Sequence, residues 1–409
     1  MRMRKGFELL IIFSLFSAMI LALSVTNVVV HAVEVVAAIP VGVGPQGLAY
    51  DSGMGEIFVA NQGDNTISVI SDSTNTVVAT IPVGNSPARV AYDSGLGEIF
   101  VTNSRSNTVS VISDKTNTMV ATISVGENPL GIAYDSGKGE IYVANYGGDS
   151  VSVISDSTNT VIANVTVGPS PFSVVYDSGK GEVFVGTAVS DTISVISDST
   201  HTVVAHVTGS YPPYDLVYDS GMGEIFGTYH GSSNSVFVIS DVTNSVIATI
   251  PISAGTQSYG LAYDSGLGEI FVTNGENTVS IISDKTNTAV ATVPLNVDGG
   301  VHLWEIAYDS GKSELFAANF ISDVIGGKGF LINTVLVISD STTSPTSAPT
   351  LSPTSTPTPT VAPTPIPTPE PEPFPTVLVV ASVITVVIVG IGVLVYFKKR
   401  KRQTDRVTV

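Results

Sequence analysis

Cysteine is absent from the 409 residues, so disulfides, thiolate nucleophiles and iron–sulfur clusters have no ligands to form from. Cations are scarce: 17 Lys and Arg stand against 35 Asp and Glu, a formal net charge of −18. Without the basic segments at its two ends, the central part of the chain is near −25. Such a surface repels nucleic acid and anionic lipid, which removes DNA binding from consideration and suits a protein that stays soluble in salt or attracts cations. Tryptophan occurs once and histidine five times, and the histidines do not cluster. No Gly-x-x-x-x-Gly-Lys-Ser/Thr loop is present to cradle a nucleotide phosphate. Helical periodicity is missing from the long interior.

What is present is one unit copied many times. Ala91 to Val125 reads AYDSGLGEIFVTNSRSNTVSVISDKTNTMVATISV, and its Tyr-Asp-Ser-Gly signature recurs at Tyr50, Tyr92, Tyr134, Tyr176, Tyr218, Tyr263 and Tyr308, spaced by 42, 42, 42, 42, 45 and 45 residues. A period near 42 belongs to propeller repeats. Each copy predicts four short strands. In the second, these are Val90–Tyr92, Glu98–Thr102, Thr108–Ile112 and Met119–Val125, rich in β-branched and aromatic residues and separated by Asp, Ser, Gly and Asn turns. The expected fold is therefore an all-β, seven-bladed β-propeller. The seventh repeat stops at Asp340 without a fourth strand, while Val33 to Val41 matches a fourth strand with no blade before it. The N-terminal strand should pair with Thr334 to Ser339, close the ring and hide two open edges.

The segments flanking the repeats predict a surface topology. Arg2, Arg4 and Lys5 precede an apolar run from Leu9 to Leu23, and Val30-His31-Ala32 fits a cleavage site, so residues 1–32 read as a signal peptide, with an uncleaved anchor as the alternative. Residues 33–340 form the propeller. Residues 341–375 are Ser, Thr and Pro with little to bury, a polyproline-type stalk of up to ~110 Å suited to O-glycosylation. Residues 376–397 contain an uncharged 21-residue run, Val377 to Phe397, long enough to span a bilayer. The basic cluster Lys398 to Arg402 would hold the tail, 398–409, in the cytoplasm. The Pro-Glu-Pro stretch Pro369 to Pro375, followed by this helix and basic end, also resembles tripartite C-terminal sorting signals of some prokaryotes, in which the helix would be processed.

Phe100-Val101-Thr102-Asn103, Phe271-Val272-Thr273-Asn274 and Tyr142-Val143-Ala144-Asn145, with Val-Gly-x-x-Pro segments before them and Thr-Asn-Thr-Val-Val-Ala-Thr-Ile-type runs after, resemble the Tyr-Val-Thr-Asn repeats of archaeal surface-layer β-propeller proteins. The resemblance covers Val33 to Asp340. The family's Asp-Pro after the tyrosine is Asp-Ser here, and Thr187 and Tyr229 stand in for the asparagine in repeats four and five. The resemblance implies a cell-surface location and a binding or adhesive role, and it transfers no catalytic residues.

Candidate sites follow from where the copies disagree. Loops joining strands one to two and three to four are nearly identical and share one face. The opposite face differs in every copy and gathers Arg89, Arg105, Tyr146, Phe172, Tyr211, Tyr214, Tyr229, His230, Tyr259, His302 and the only tryptophan, Trp304. Repeat seven adds an insertion there, Phe320 to Asn333, with Phe320 and Phe330, Ile321 and Val324. Exposed aromatic loops suit recognition of a cell-surface protein or glycan. The competing reading is that these rings plug the channel or cover the insertion's own small core. An extracellular lactonase-, lyase- or hydrolase-like enzyme would need converging polar groups, for which Asp215, His230, His302 and Glu305 are the unusual candidates. A purely structural envelope subunit, held by lateral self-association, is a third reading. The paired carboxylates of the Asp-Ser-Gly-x-Gly-Glu turns (Asp51 with Glu56) allow calcium but lack EF-hand spacing, and a capped turn explains them without metal or cofactor. The Ser-Asp pairs also read as turn caps. Asn164-Val165-Thr166 is the one N-glycosylation sequon.

Overall fold

Two turn chemistries fold every repeat. In the first, the Asp51 carboxylate accepts the Gly53 N–H at 2.7 Å and the Met54 N–H at 3.1 Å, and Gly55 takes a positive φ of 67°. In the second, Asn75, Asn117, Asn159, His201, Asn244 and Asn287 adopt the left-handed region, which Asn tolerates best among residues with a side chain. The structure, a computed structural model, describes residues 30–343 apart from 210–211, 230–233, 253–256, 276, 296, 298–301 and 326–327, with side chains except at 30–32, 321–332 and 340–343. The chain divides into two units, Met1–Thr346 and Ser347–Val409, and the described residues belong to the first. Among them no helix is long and apolar enough to cross a membrane. Most of the expected leader, nearly all of the stalk, the apolar run 377–397 and the tail lie outside the described residues.

Within the described residues the strands form seven four-stranded antiparallel sheets, and the chain is a seven-bladed β-propeller. Blade one comprises Pro45–Asp51, Glu56–Asn61, Thr66–Ser71 and Thr76–Pro82, and the next blades repeat this order outward from the axis. The innermost strand is longer than its sequence suggests. In blade two it runs Pro87–Asp93, because the chain pairs again with Asn103 beyond an irregular step.

Burial explains the sequence of each strand. The second and third strands are buried along almost their whole length, because neighbouring blades cover both faces of the sheet. They therefore read as apolar runs. The fourth strand alternates, with one face to solvent. Each hydrophobic core lies between two blades: Phe58, Ile67 and Val69 of blade one pack with Val90, Ile99, Val101 and Ile112 of blade two. Phe58, Phe100, Tyr142, Phe184, Phe226, Phe271 and Phe316 occupy one equivalent position and are fully buried. Burying each ring contributes about 2–3 kcal/mol.

The ring closes with a strand borrowed from the other end of the chain. Val30–Pro40 pairs antiparallel with the strand Lys328–Thr343, with Pro40 opposite Thr334 and Glu34 opposite Ser339. This strand begins three residues before the expected mature start at Val33. Ile39 then packs with Val335, Val337 and Phe316 of blade seven and with Leu48 and Ile57 of blade one. Every outermost strand carries a one-residue bulge, at Val36, Val78, Val120, Ile162, Val204, Ile247 and Val290. The bulged residues are about half exposed, and the kink makes the edge a poor template for another strand.

A girdle joins the blades on the face with constant turns. The Tyr92 hydroxyl of blade two hydrogen-bonds to Asp51 of blade one, and Tyr134–Asp93, Tyr176–Asp135, Tyr218–Asp177 and Tyr263–Asp219 continue the pattern. Tyr50 of blade one reaches Asp309 of blade seven in the same way. A Cβ at Gly53 would meet the Tyr92 hydroxyl at 2.8 Å, so the signature glycine also makes room for this bond. Further out, the second-turn residue of one blade meets the glutamate of the blade before, as in Asn117–Glu56 (3.3 Å) and His201–Glu140 (2.9 Å).

Candidate functional site

The site forms where the innermost strands pass the propeller axis. Each strand pairs irregularly there: in blade two the ladder jumps from Pro87–Asn103 to Val90–Val101, leaving Ala88 and Arg89 out of register. A bulge of this kind re-aims side chains, and the third residue of each strand lines the axial channel. In chain order these residues are Gly47, Arg89, Gly131, Ser173, Asp215, Gly260 and Glu305. The small residues let the strands converge, since a Cβ on Gly131 would lie 2.4 Å from the Phe172 carbonyl oxygen. The three charged ones meet across the axis. Arg89 forms an ion pair with Glu305 and lies 4.0 Å from Asp215, and all three side chains are largely buried. A cavity of about 150 Å³ surrounds them.

Backbone ties hold this trio in place. The Thr102 hydroxyl accepts the Arg89 N–H at 3.1 Å and donates to the Leu130 carbonyl of the next blade at 2.8 Å. Thr228 does the same between Asp215 and Tyr259, and Thr273 between Gly260 and Trp304. The threonine of the Val-Thr-Asn-type motif is thus an interblade weld. The motif asparagine acts within its own blade. Asn103 donates to Ser110 and Thr108, and a Cβ at Gly84 would run into its side chain at 2.6 Å.

Above the trio stands a crescent of rings, the second residues of the innermost strands in blades four to seven. Phe172 and Tyr214 are 5.1 Å apart between centroids, Tyr214 and Tyr259 5.4 Å, and Tyr259 and Trp304 5.2 Å. Tyr146 meets the edge of Phe172, and His302 meets the edges of Tyr259 and Trp304. The Arg89 guanidinium lies 5.6 Å from the Phe172 centroid and 5.8 Å from that of Tyr214, a cation–π arrangement. Blades one to three place Gln46, Ala88 and Leu130 at the same level. A pocket of about 320 Å³ opens between these residues, none of which carries a ring, and Phe172, Tyr214 and Trp304.

Burial sets the electrostatics. It raises the Asp215 carboxyl above the usual range, against Arg89 and the Leu261 N–H, which donates to it at 2.9 Å. Burial pushes Tyr214 up to about 12 with Arg89 opposing, and it lowers His302. The Trp304 indole N–H is buried without a hydrogen-bond partner among the described residues.

Several expected site residues are elsewhere. Arg89, Phe172, Tyr214, Tyr259 and Trp304 sit on innermost strands at the axis rather than on exposed loops, as with Tyr259 in Ser258–Asp264 and Trp304 in Leu303–Asp309. Tyr229 belongs to the core: it occupies the asparagine position of blade five, 2% exposed, and packs on Phe237 at 4.8 Å. Gly227 opens that space, since a Cβ there would lie 2.1 Å from the Phe237 ring. Arg105 is exposed on the blade-two turn. The insertion is an extension of the blade rather than a loop. Phe320 pairs with Asn333, and the ladder continues to Ile325–Lys328, so the two strands of blade seven extend as a long hairpin. Tyr211 and His230 lie outside the described residues, as does the Phe330 side chain. Asp215, Glu305 and His302 do approach the axis, but Arg89 already engages both carboxylates and His302 faces rings. Among the described residues no group of three or more His, Asp or Glu could hold a metal ion. Asn164 is exposed on an outermost strand and accepts a bond from Ser152 at 2.9 Å.

No family model matches the chain, and no curated protein sequence matches it. Among solved structures, it is similar to hydrazine synthase of Kuenenia stuttgartiensis, with 17% identity and a TM-score of 0.60, over 71% of this chain and 95% of that one. Likeness at this identity concerns the propeller fold alone.

Proposed function

We propose that this chain is a stalked, membrane-anchored cell-surface protein whose propeller binds a surface protein or glycan through the pocket on its variable face. The carrying observation is the convergence of Phe172, Tyr214, Tyr259 and Trp304 over one half of the axis, above the Arg89–Asp215–Glu305 trio. A plug with only a packing role would fill the mouth evenly, whereas Gln46, Ala88 and Leu130 of blades one to three bring no ring to it and a pocket remains. The leader, the Ser/Thr/Pro stalk, the apolar run and the basic end support secretion and anchoring. This role is the one implied by the resemblance to archaeal surface-layer propellers. The test is a glycan-array and cell-surface pull-down with the full chain, alongside Trp304→Ala and a variant shortened through 320–333. Capture lost in either variant supports the reading, and capture unchanged in both overturns it.

The half-exposed bulge residues around the rim favour a second reading, a structural envelope subunit held by lateral contact between discs. Ordered sheets forming on concentration, with no ligand for the pocket, would select it.

A further inference from the structure

We propose that the axial pocket takes a neutral carbohydrate, seated with a sugar ring against the wall of Phe172, Tyr214 and Trp304. This rests on the binding reading above and narrows its ligand class.

Three observations carry the inference. First, the pocket is one-sided. An aromatic wall faces Gln46, Gln62, Ala88 and Leu130, none of which carries a ring, across about 320 Å³, at the small end of the ~300–1,000 Å³ range of ligand sites. A pyranose has the complementary form, an apolar C–H face and a rim of hydroxyls.

Second, the polar groups around the wall are of both kinds. The Trp304 indole N–H is a buried donor without a partner among the described residues. Gln46 and Gln62 bond to each other reciprocally at 3.3 and 3.4 Å, which leaves each amide one further N–H and one further lone pair. A hydroxyl both donates and accepts, so it can serve either group.

Third, the charges disfavour an ionic ligand. Arg89 lies against Glu305 and near Asp215, so a ligand ammonium at the pocket floor would meet a guanidinium. A ligand carboxylate would meet two acids. A neutral polyol incurs neither repulsion, and its position above the trio leaves those ion pairs intact.

Trp304 is the only tryptophan, so its emission reports on this pocket alone. The experiment titrates the full chain with methyl glycosides of glucose, galactose, mannose and N-acetylglucosamine and with their disaccharides. Choline and glucuronate serve as the cationic and anionic probes. The expected result is a saturable emission change with at least one neutral sugar and with neither charged probe. Tyr214→Ala, a ring lining the pocket, should weaken it about tenfold, the scale of a lost ring contact. Gln62→Ala, a change at the rim, should weaken it with the melting temperature unchanged, and it keeps the test valid if the tyrosine variant does not fold. A response to choline or glucuronate alone, or none to any sugar at tens of millimolar, overturns the inference. If the sugars fail but pull-down still finds a ligand lost in Trp304→Ala, the carbohydrate class falls and the binding reading stands. If both fail, both fall.

Discussion

The two faces of the disc are built from the same strands and follow opposite rules. On the constant-turn face, one blade joins the next through a tyrosine hydroxyl on an aspartate and a glutamate on a second-turn residue. On the other face, the second and third residues of the innermost strands change from blade to blade, and the changes cluster around the axis. Repetition therefore carries the closure of the ring, and departure from repetition marks the pocket. Substitutions on the two faces should separate accordingly.

The largest effect should come from the interblade core that both faces share. Phe100→Ala should cost about 3–5 kcal/mol, read as a lowered denaturation midpoint. Next, Arg89→Ala removes the cation between two largely buried carboxylates and should cost about 3 kcal/mol at neutral pH. The double variant Arg89→Ala/Glu305→Gln should recover part of that loss. A cost that stays the same in the double variant would mean that the trio is not coupled.

A pH series sharpens the contrast further. Burial first, then the neighbouring Asp51, raise Asp114; burial and Asp93 raise Asp156; burial raises Glu56 and Glu224. A carboxylate whose folded pKa is raised contributes stability that is present below its unfolded value and lost as pH rises through the folded value. The melting temperature should therefore increase between pH 7.5 and pH 5, with His302 opposing weakly because burial lowers it. A steady fall over that interval would contradict the girdle of buried acids. The smallest effect is that of Tyr92→Phe, which removes one hydroxyl from one joint and should cost about 1 kcal/mol. Tyr214→Ala should change ligand binding far more than it changes the midpoint.

The blade count, the turn chemistry and the closing strand were legible in the sequence because each is local or repeats in register. The girdle was not. Tyr92 sits beside Asp93 in the sequence but bonds to Asp51, and only the three-dimensional neighbour relation reveals the partner. Arg89 stood out as a departure among small residues, yet its partners Asp215 and Glu305 come from distant repeats at the same strand position. Tyr229 misled for a physical reason: the loss of a side chain at Gly227 makes a core cavity that only the folded blade shows. The insertion misled because its apolar residues look like a loop core, whereas its backbone continues a strand pair.

The borrowed strand has a mechanical consequence. In the other blades the fourth strand in chain order is the outermost, an edge that can be peeled away one bond at a time. In the seventh, the chain continues toward its C-terminus from an interior strand, Lys328–Thr343, paired to ten positions of Val30–Pro40 on one side and twelve of Glu314–Ile325 on the other. Tension drawn through residues beyond Thr343 enters along that strand and is shared by two ladders loaded in shear, so many bonds must fail together before the disc is pulled open.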